Sequence, residues 1–139
     1  LAALSLSTGN GLDVSDNFVV WVSEDGGATF KEQIQINGFS NSHWTYATGT
    51  GVAVRAYSTS AVTEFDPQSG IRAQTTKGYS YLSVTGLPSV ENLVIRLTAT
   101  DESVPEKWLV DDVVVQTVPE PAAAALGALG FLMLLMRRR

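Results

Sequence analysis

The chain contains no cysteine, which removes disulfide bonds, thiolate metal ligands and cysteine nucleophiles together. It contains one histidine, His43, set between Asn41-Ser42 and Trp44, and no G-x-S-x-G nucleophile turn accompanies it. A serine-histidine-acid arrangement therefore lacks recognisable members. Zinc is disfavoured on the same count, because its sites draw three or four ligands from His, Cys and carboxylates. Positive charge is also scarce: nine Lys and Arg stand against fourteen Asp and Glu, for a net charge of −5, and three of the nine are the last three residues. The other basic residues are scattered singly, whereas a phosphate-binding surface needs them clustered, so nucleic acid is not an expected partner. The first residue is Leu1, with no methionine and no basic residue before the apolar run that follows. A leader peptide, and further strands, are expected upstream of a domain that is N-terminally incomplete.

What the chain has in quantity is short runs rich in Val, Ile, Thr, Tyr and Phe, separated by clusters of Gly, Asn, Asp, Ser and Pro. That punctuation predicts one all-β sandwich or barrel over residues 1–117. Strands are expected at 1–7, 18–24, 30–36, 43–47, 52–57, 61–65, 71–75, 79–84, 93–100 and 108–117. Successive strand side chains point to opposite faces, so Phe18, Val20 and Val22 share a face, as do Val52 with Val54, and Leu93 with Ile95 and Leu97. These residues, with Trp108, Val110 and Val114, form the predicted core between two antiparallel sheets. Asp25-Gly26-Gly27 and Asn37-Gly38 can supply positive φ for hairpins, and Asp66-Pro67-Gln68-Ser69-Gly70 joins a preset proline φ to a terminal glycine. Crossover helices are missing from the pattern, which argues for antiparallel pairing.

A glycosidase needs only two carboxylates across a cleft, and Glu24, Asp25, Glu64 and Asp66 are the candidates. Each has a plainer reading: the aspartates bond backbone in turns, and the glutamates lie near strand ends as solvated charges. No catalytic set emerges, and the chain is read as non-enzymatic. Sugar binding through exposed rings is a separate expectation, with Trp21, Trp44, Tyr46, Tyr57, Tyr79 and Tyr81 available. By alternation, Trp21 faces away from Phe18, Val20 and Val22.

Asp111 and Asp112 stand adjacent in the last expected strand, so one carboxylate must face inward unless a bulge intervenes. An inward carboxylate needs backbone N–H donors or a cation. Two readings follow: hydrogen bonding to a neighbouring loop, or a calcium site in which Asp111 or Asp112 is joined by Asp13, Asp16 or nearby carbonyls of the turn-rich loop at 9–17, since calcium takes six to eight oxygen ligands. No other cofactor is expected.

Residues 122–136 form a run of fifteen without a polar side chain. As a helix it spans about 22 Å, short of a bilayer core about 30 Å thick. Pro119-Glu120-Pro121 blocks helix propagation upstream, and Arg137, Arg138 and Arg139 follow it, where long stems can snorkel to headgroups. Terminal arginines favour the cytoplasmic side, which leaves residues 1–119 outside. A buried core helix would instead show a polar face.

Val118-Pro119-Glu120-Pro121, a short Ala/Gly/Leu-rich helix and a closing arginine cluster, in that order, resemble the PEP-CTERM sorting signal over residues 118–139. The resemblance implies recognition by an exosortase, a membrane cysteine protease of Gram-negative bacteria that make exopolysaccharide, with cleavage at or near Pro119-Glu120-Pro121. The precursor would sit transiently in the inner membrane and the mature protein at the cell surface or outside. Two further segments, Val19 to Phe30 around Ser23-Glu24-Asp25-Gly26-Gly27 and Trp108 to Val115 around Asp111-Asp112, resemble the hairpin and closing strand of MAM-like and concanavalin-like jelly-rolls, although the disulfides usual in MAM domains are missing. The resulting expectation is an antiparallel jelly-roll-like β-sandwich followed by a short C-terminal hydrophobic helix. Its expected role is in matrix or exopolysaccharide association, with an accessory or carbohydrate-binding module of a larger secreted hydrolase as the alternative.

Overall fold

The computed structural model describes residues 1–5, 11–38, 52–59, 64–65 and 80–116. The expected strands at 43–47 and 71–75, the turn at 66–70, His43 and the whole of 118–139 with its helix lie outside the described residues. Among the described residues the chain is all-β, with eight strands and no helix: β1 (Ala2–Ser5), β2 (Asn17–Ser23), β3 (Lys31–Asn37), β4 (Val52–Ala56), β5 (Glu64–Phe65), β6 (Tyr81–Thr85), β7 (Val94–Thr100) and β8 (Glu106–Leu109).

The strands form three sheets, ordered β5-β3-β2-β7, β1-β8 and β4-β6. β2 is central to the largest, running antiparallel to both β3 and β7. The tight β2–β3 connection follows from its sequence: Gly26 (φ 72°) and Gly27 (φ 94°) adopt the left-handed backbone that side chains resist. β1 pairs antiparallel with β8. The all-antiparallel expectation fails at two places, because β5 runs parallel to β3 and β6 parallel to β4. A parallel partner requires a connection of about a dozen residues or more, and both pairs are joined by long intervening segments rather than by tight turns.

One core draws on all three sheets. Phe18 and Val20 from β2, Ile34 and Ile36 from β3, Leu1 and Ala3 at β1, Leu12 and Ala53 are buried together, with Leu82, Val84, Ile95 and Trp108 packed against them. The rings of Phe18 and Trp108 lie 6.0 Å apart at a tilt of 42°. Val22 is also buried, so the expected inward face of β2 is present in full.

Several expected core positions face outward. Val52 and Val54 are exposed, and Ala53 between them is buried. The period of two was correct and the face was inverted: Ala53 pairs with Leu82 and Arg55 with Val84, so the small residue lies on the core side. Leu93 and Ile95 are half-buried and Leu97 is exposed. Val110 and Val114 are exposed, and β8 ends at Leu109, opposite Ala2 of β1. Asp112 then takes φ 51°, which breaks an extended run. Asp111 and Asp112 are both exposed, so neither carboxylate faces inward.

Candidate functional site

Asp16, immediately before β2, is fully buried. Its Oδ2 accepts the Asp13 N–H at 2.7 Å and its Oδ1 accepts the Glu102 N–H at 2.9 Å. Its backbone carbonyl accepts the Gly38 N–H at 2.8 Å. One residue thus ties the start of β2 to the end of β3 and to the β7–β8 connection. Gly38 was expected to supply positive φ; its need is different. A Cβ there would overlap the Asp13 carbonyl oxygen and stand 2.7 Å from the Leu12 carbonyl carbon.

Burial, before any other cause, raises the pKa of Asp16, and the two backbone donors oppose it. Glu106, the first residue of β8, is 5% exposed, and its Oε2 is shielded with no hydrogen-bond partner. Burial raises its pKa as well, helped by the negative charges of Asp16 and Asp13 and opposed by Ser103.

The four aspartates singled out for calcium therefore fall in two places. Asp13 and Asp16 share this corner, where Asp13 Oδ1 also accepts the Ser15 N–H and hydroxyl at 3.0 and 2.6 Å. Asp111 and Asp112 lie beyond the opposite end of β8, with Asp111 Oδ1 accepting the Asp112 N–H at 2.9 Å. The acid brought to Asp13 and Asp16 is Glu106. Its sequence context, Pro105-Glu106-Lys107, carries no signal of burial. Among the described residues no three His, Cys, Asp or Glu side chains form a group that could hold a metal ion.

The glycosidase candidates within the described residues have other partners. Asp25 Oδ1 accepts the Ser23 hydroxyl and the Thr29 N–H at 2.7 and 2.8 Å, and Oδ2 accepts the Thr29 hydroxyl at 2.6 Å. The Thr29 bonds, foremost, hold its carboxyl far below the usual carboxylate range. Glu24 accepts from Lys31 Nζ at 3.3 Å, which raises the pKa of the lysine. Glu64 is described in its backbone only, and Asp66 lies outside the described residues.

On the outward face of β2, Trp21 donates its Nε1–H to Thr98 Oγ1 at 2.8 Å. The Arg96 guanidinium carbon stands 4.9 Å from the Trp21 ring centre and 3.8 Å from that of Phe30, within cation–π range. Trp21 is thus neither bare nor in the core, and its cover is an arginine that the sequence reading had not singled out. Tyr81 is exposed and Tyr57 half-buried. Trp44, Tyr46 and Tyr79 lie outside the described residues.

Gln33 was also missed. The β2–β3 register steps between Val20 and Trp21, which pair with Ile34 and Glu32 and leave Gln33 as a bulge. Fully buried, it clamps Ser58 from both sides: Nε2 donates to the Ser58 carbonyl at 2.9 Å, and Oε1 accepts the Ser58 N–H at 3.0 Å.

Compared with known proteins, the chain matches no family model, no curated protein and no solved structure.

Proposed function

We propose that this chain is a non-enzymatic, exported β-sandwich protein delivered by a C-terminal sorting tail that an exosortase removes, with a role at the cell surface or in an exopolysaccharide matrix. The observation that carries the reading is the order of three elements: Val118-Pro119-Glu120-Pro121, the apolar run 122–136, and Arg137-Arg138-Arg139. Proline blocks the helix on one side, and arginine fixes its direction on the other. The logic resembles that of a GPI signal, in which a hydrophobic tail brings the protein to an enzyme and is then lost.

The described part of the body before the tail is all-β, the body is acidic, and its finer architecture is proposed to be a jelly-roll-like sandwich. Support comes from the shared core of the three sheets and from the Ser23–Thr29 turn, where the segment that carries the sequence resemblance forms a compact connection held by Ser23 and Asp25. The lack of an enzymatic role is supported by the structural engagement of Glu24 and Asp25. A carbohydrate-binding or accessory module of a larger secreted hydrolase is the second reading, favoured by the Trp21–Arg96–Phe30 stack on an outer sheet face.

Fractionation of an exopolysaccharide-producing Gram-negative host, with and without its exosortase, tests the reading. The full chain is expected in the inner membrane when the protease is missing and in the surface or medium fraction when it is present. Pro119→Ala/Glu120→Ala/Pro121→Ala should hold the protein in the membrane in both strains. Equal release of this variant and the wild type would sink the motif's role.

A further inference from the structure

We propose that Asn37-Gly38 is a self-modification site: its asparagine is held back from deamidation by the contacts that join the end of β3 to the turn at 12–16, and is converted irreversibly once they open. The chemistry needs only these two neighbours and water. The Gly38 backbone nitrogen gives up its proton and attacks Asn37 Cγ. The new bond from nitrogen to Cγ closes a five-membered imide, the Cγ–Nδ2 bond breaks, and Nδ2 leaves as ammonia with the proton. Water then opens the ring on either side. Hydrolysis at Cγ gives aspartate, and hydrolysis at the backbone carbonyl gives isoaspartate, in which the chain runs through the side chain and is longer by one methylene.

Glycine in the second position favours this attack, because no Cβ shields the nitrogen. The fold cannot exchange that glycine for another residue. A Cβ at Gly38 would overlap the Asp13 carbonyl oxygen and stand 2.7 Å from the Leu12 carbonyl carbon. Packing therefore demands the very neighbour that leaves Asn37 most reactive.

The same packing keeps the reacting atoms from meeting. Gly38 is buried, and its N–H donates to the Asp16 carbonyl at 2.8 Å, so the attacking nitrogen is engaged. The group it would attack is held as well. Asn37 is the last residue of β3 and pairs with Asn17 of β2, and its Oδ1 accepts the Gln35 Nε2–H at 2.9 Å. Closing the imide requires the backbone at Asn37 to leave the extended conformation that strand pairing imposes. Both restraints are released together, when the end of β3 parts from β2 and from the turn at 12–16.

The change does not reverse, since neither hydrolysis product regains the amide. Isoaspartate also shifts the Gly38 N–H relative to the Asp16 carbonyl by one added chain atom, at a position with no spare room around the Gly38 Cα. A chain that has opened here once therefore closes differently afterwards.

The test uses the full 139-residue chain in mild detergent at neutral pH, in urea from zero to complete unfolding. Peptide mass spectrometry follows the conversion of amide to acid at Asn37, with fragmentation separating it from Asn10-Gly11 and Asn41-Ser42. NMR follows exchange of the Gly38 amide in the same solutions. Conversion is expected to be slower by about tenfold or more in the folded than in the unfolded chain, and to rise with urea in proportion to Gly38 exchange, because both need the same N–H set free. The isoaspartate form, purified and returned to buffer without urea, should leave the Gly38 amide unprotected where the unmodified chain regains protection. Equal rates in folded and unfolded chains, or conversion while the Gly38 amide stays protected, would overturn the proposal. So would an isoaspartate chain with full protection at Gly38. Every arm uses the wild-type sequence, so the outcome does not hang on whether a variant folds.

Discussion

Gly38 sits where a side chain has no room, because the turn at 12–13 passes directly against its Cα. Gly38→Ala must displace that backbone and strain the bond from the Gly38 N–H to the Asp16 carbonyl. The expected loss lies at the upper end of the about 1–3 kcal/mol that overpacking costs, read as a lower urea midpoint. A midpoint equal to that of the wild type would show that the turn moves freely. Asp25 gives a prediction that depends on pH. Its carboxyl is depressed by Thr29 and Ser23, so its contribution is present above the ordinary aspartate pKa of about 3.9 and is lost as pH falls below it. Asp25→Asn should melt lower than the wild type at pH 7, and the gap should narrow in strong acid. An unchanged gap at pH 2 would remove the charge from the explanation. Asp25 was legible in the sequence because its partners lie within four residues. The Asp16 corner was not, since Glu102 is 86 positions away and nothing local to either residue announces the other.

At the scale of elements, the hydrophobic alternation of β2 was read correctly because three large residues, Phe18, Val20 and Val22, share one face of a central strand. β4 was read with the wrong face. Val-Ala-Val carries a period of two but says nothing of which side meets the core, and the partner that decides it, β6, comes after a long connection. The same distance hid both parallel pairings. Substitutions measure the difference: Ile36→Ala, at a fully buried core position, should cost about 2–5 kcal/mol. Val54→Thr on the exposed face of β4 should stay within about 0.5 kcal/mol of the wild type in chemical denaturation. A large loss at Val54 with little at Ile36 would mean that the core face is assigned backwards. The end of β8 was overextended for a separate reason. Val113, Val114 and Val115 have strand propensity, but among the described residues the ladder with β1 runs only from Ser5 opposite Glu106 to Ala2 opposite Leu109.

For the molecule as a whole, an acidic body, all-β in its described residues, precedes a tail with apolar and basic blocks. The body has no cysteine to staple it and holds by packing of the shared core, by the Asp16 corner and by the Gln33 clamp on Ser58. The tail needs no folded partner within the chain for the role proposed; its order of proline, apolar run and arginine is what a membrane protease would read. The central claim is that this order leads to cleavage. Intact-mass spectrometry of the protein recovered from the surface or medium of an exosortase-bearing host measures it directly. The account predicts a C-terminus at or near Pro119-Glu120-Pro121 with residues 122–139 lost, and a mature form that still ends in Arg139 would contradict it.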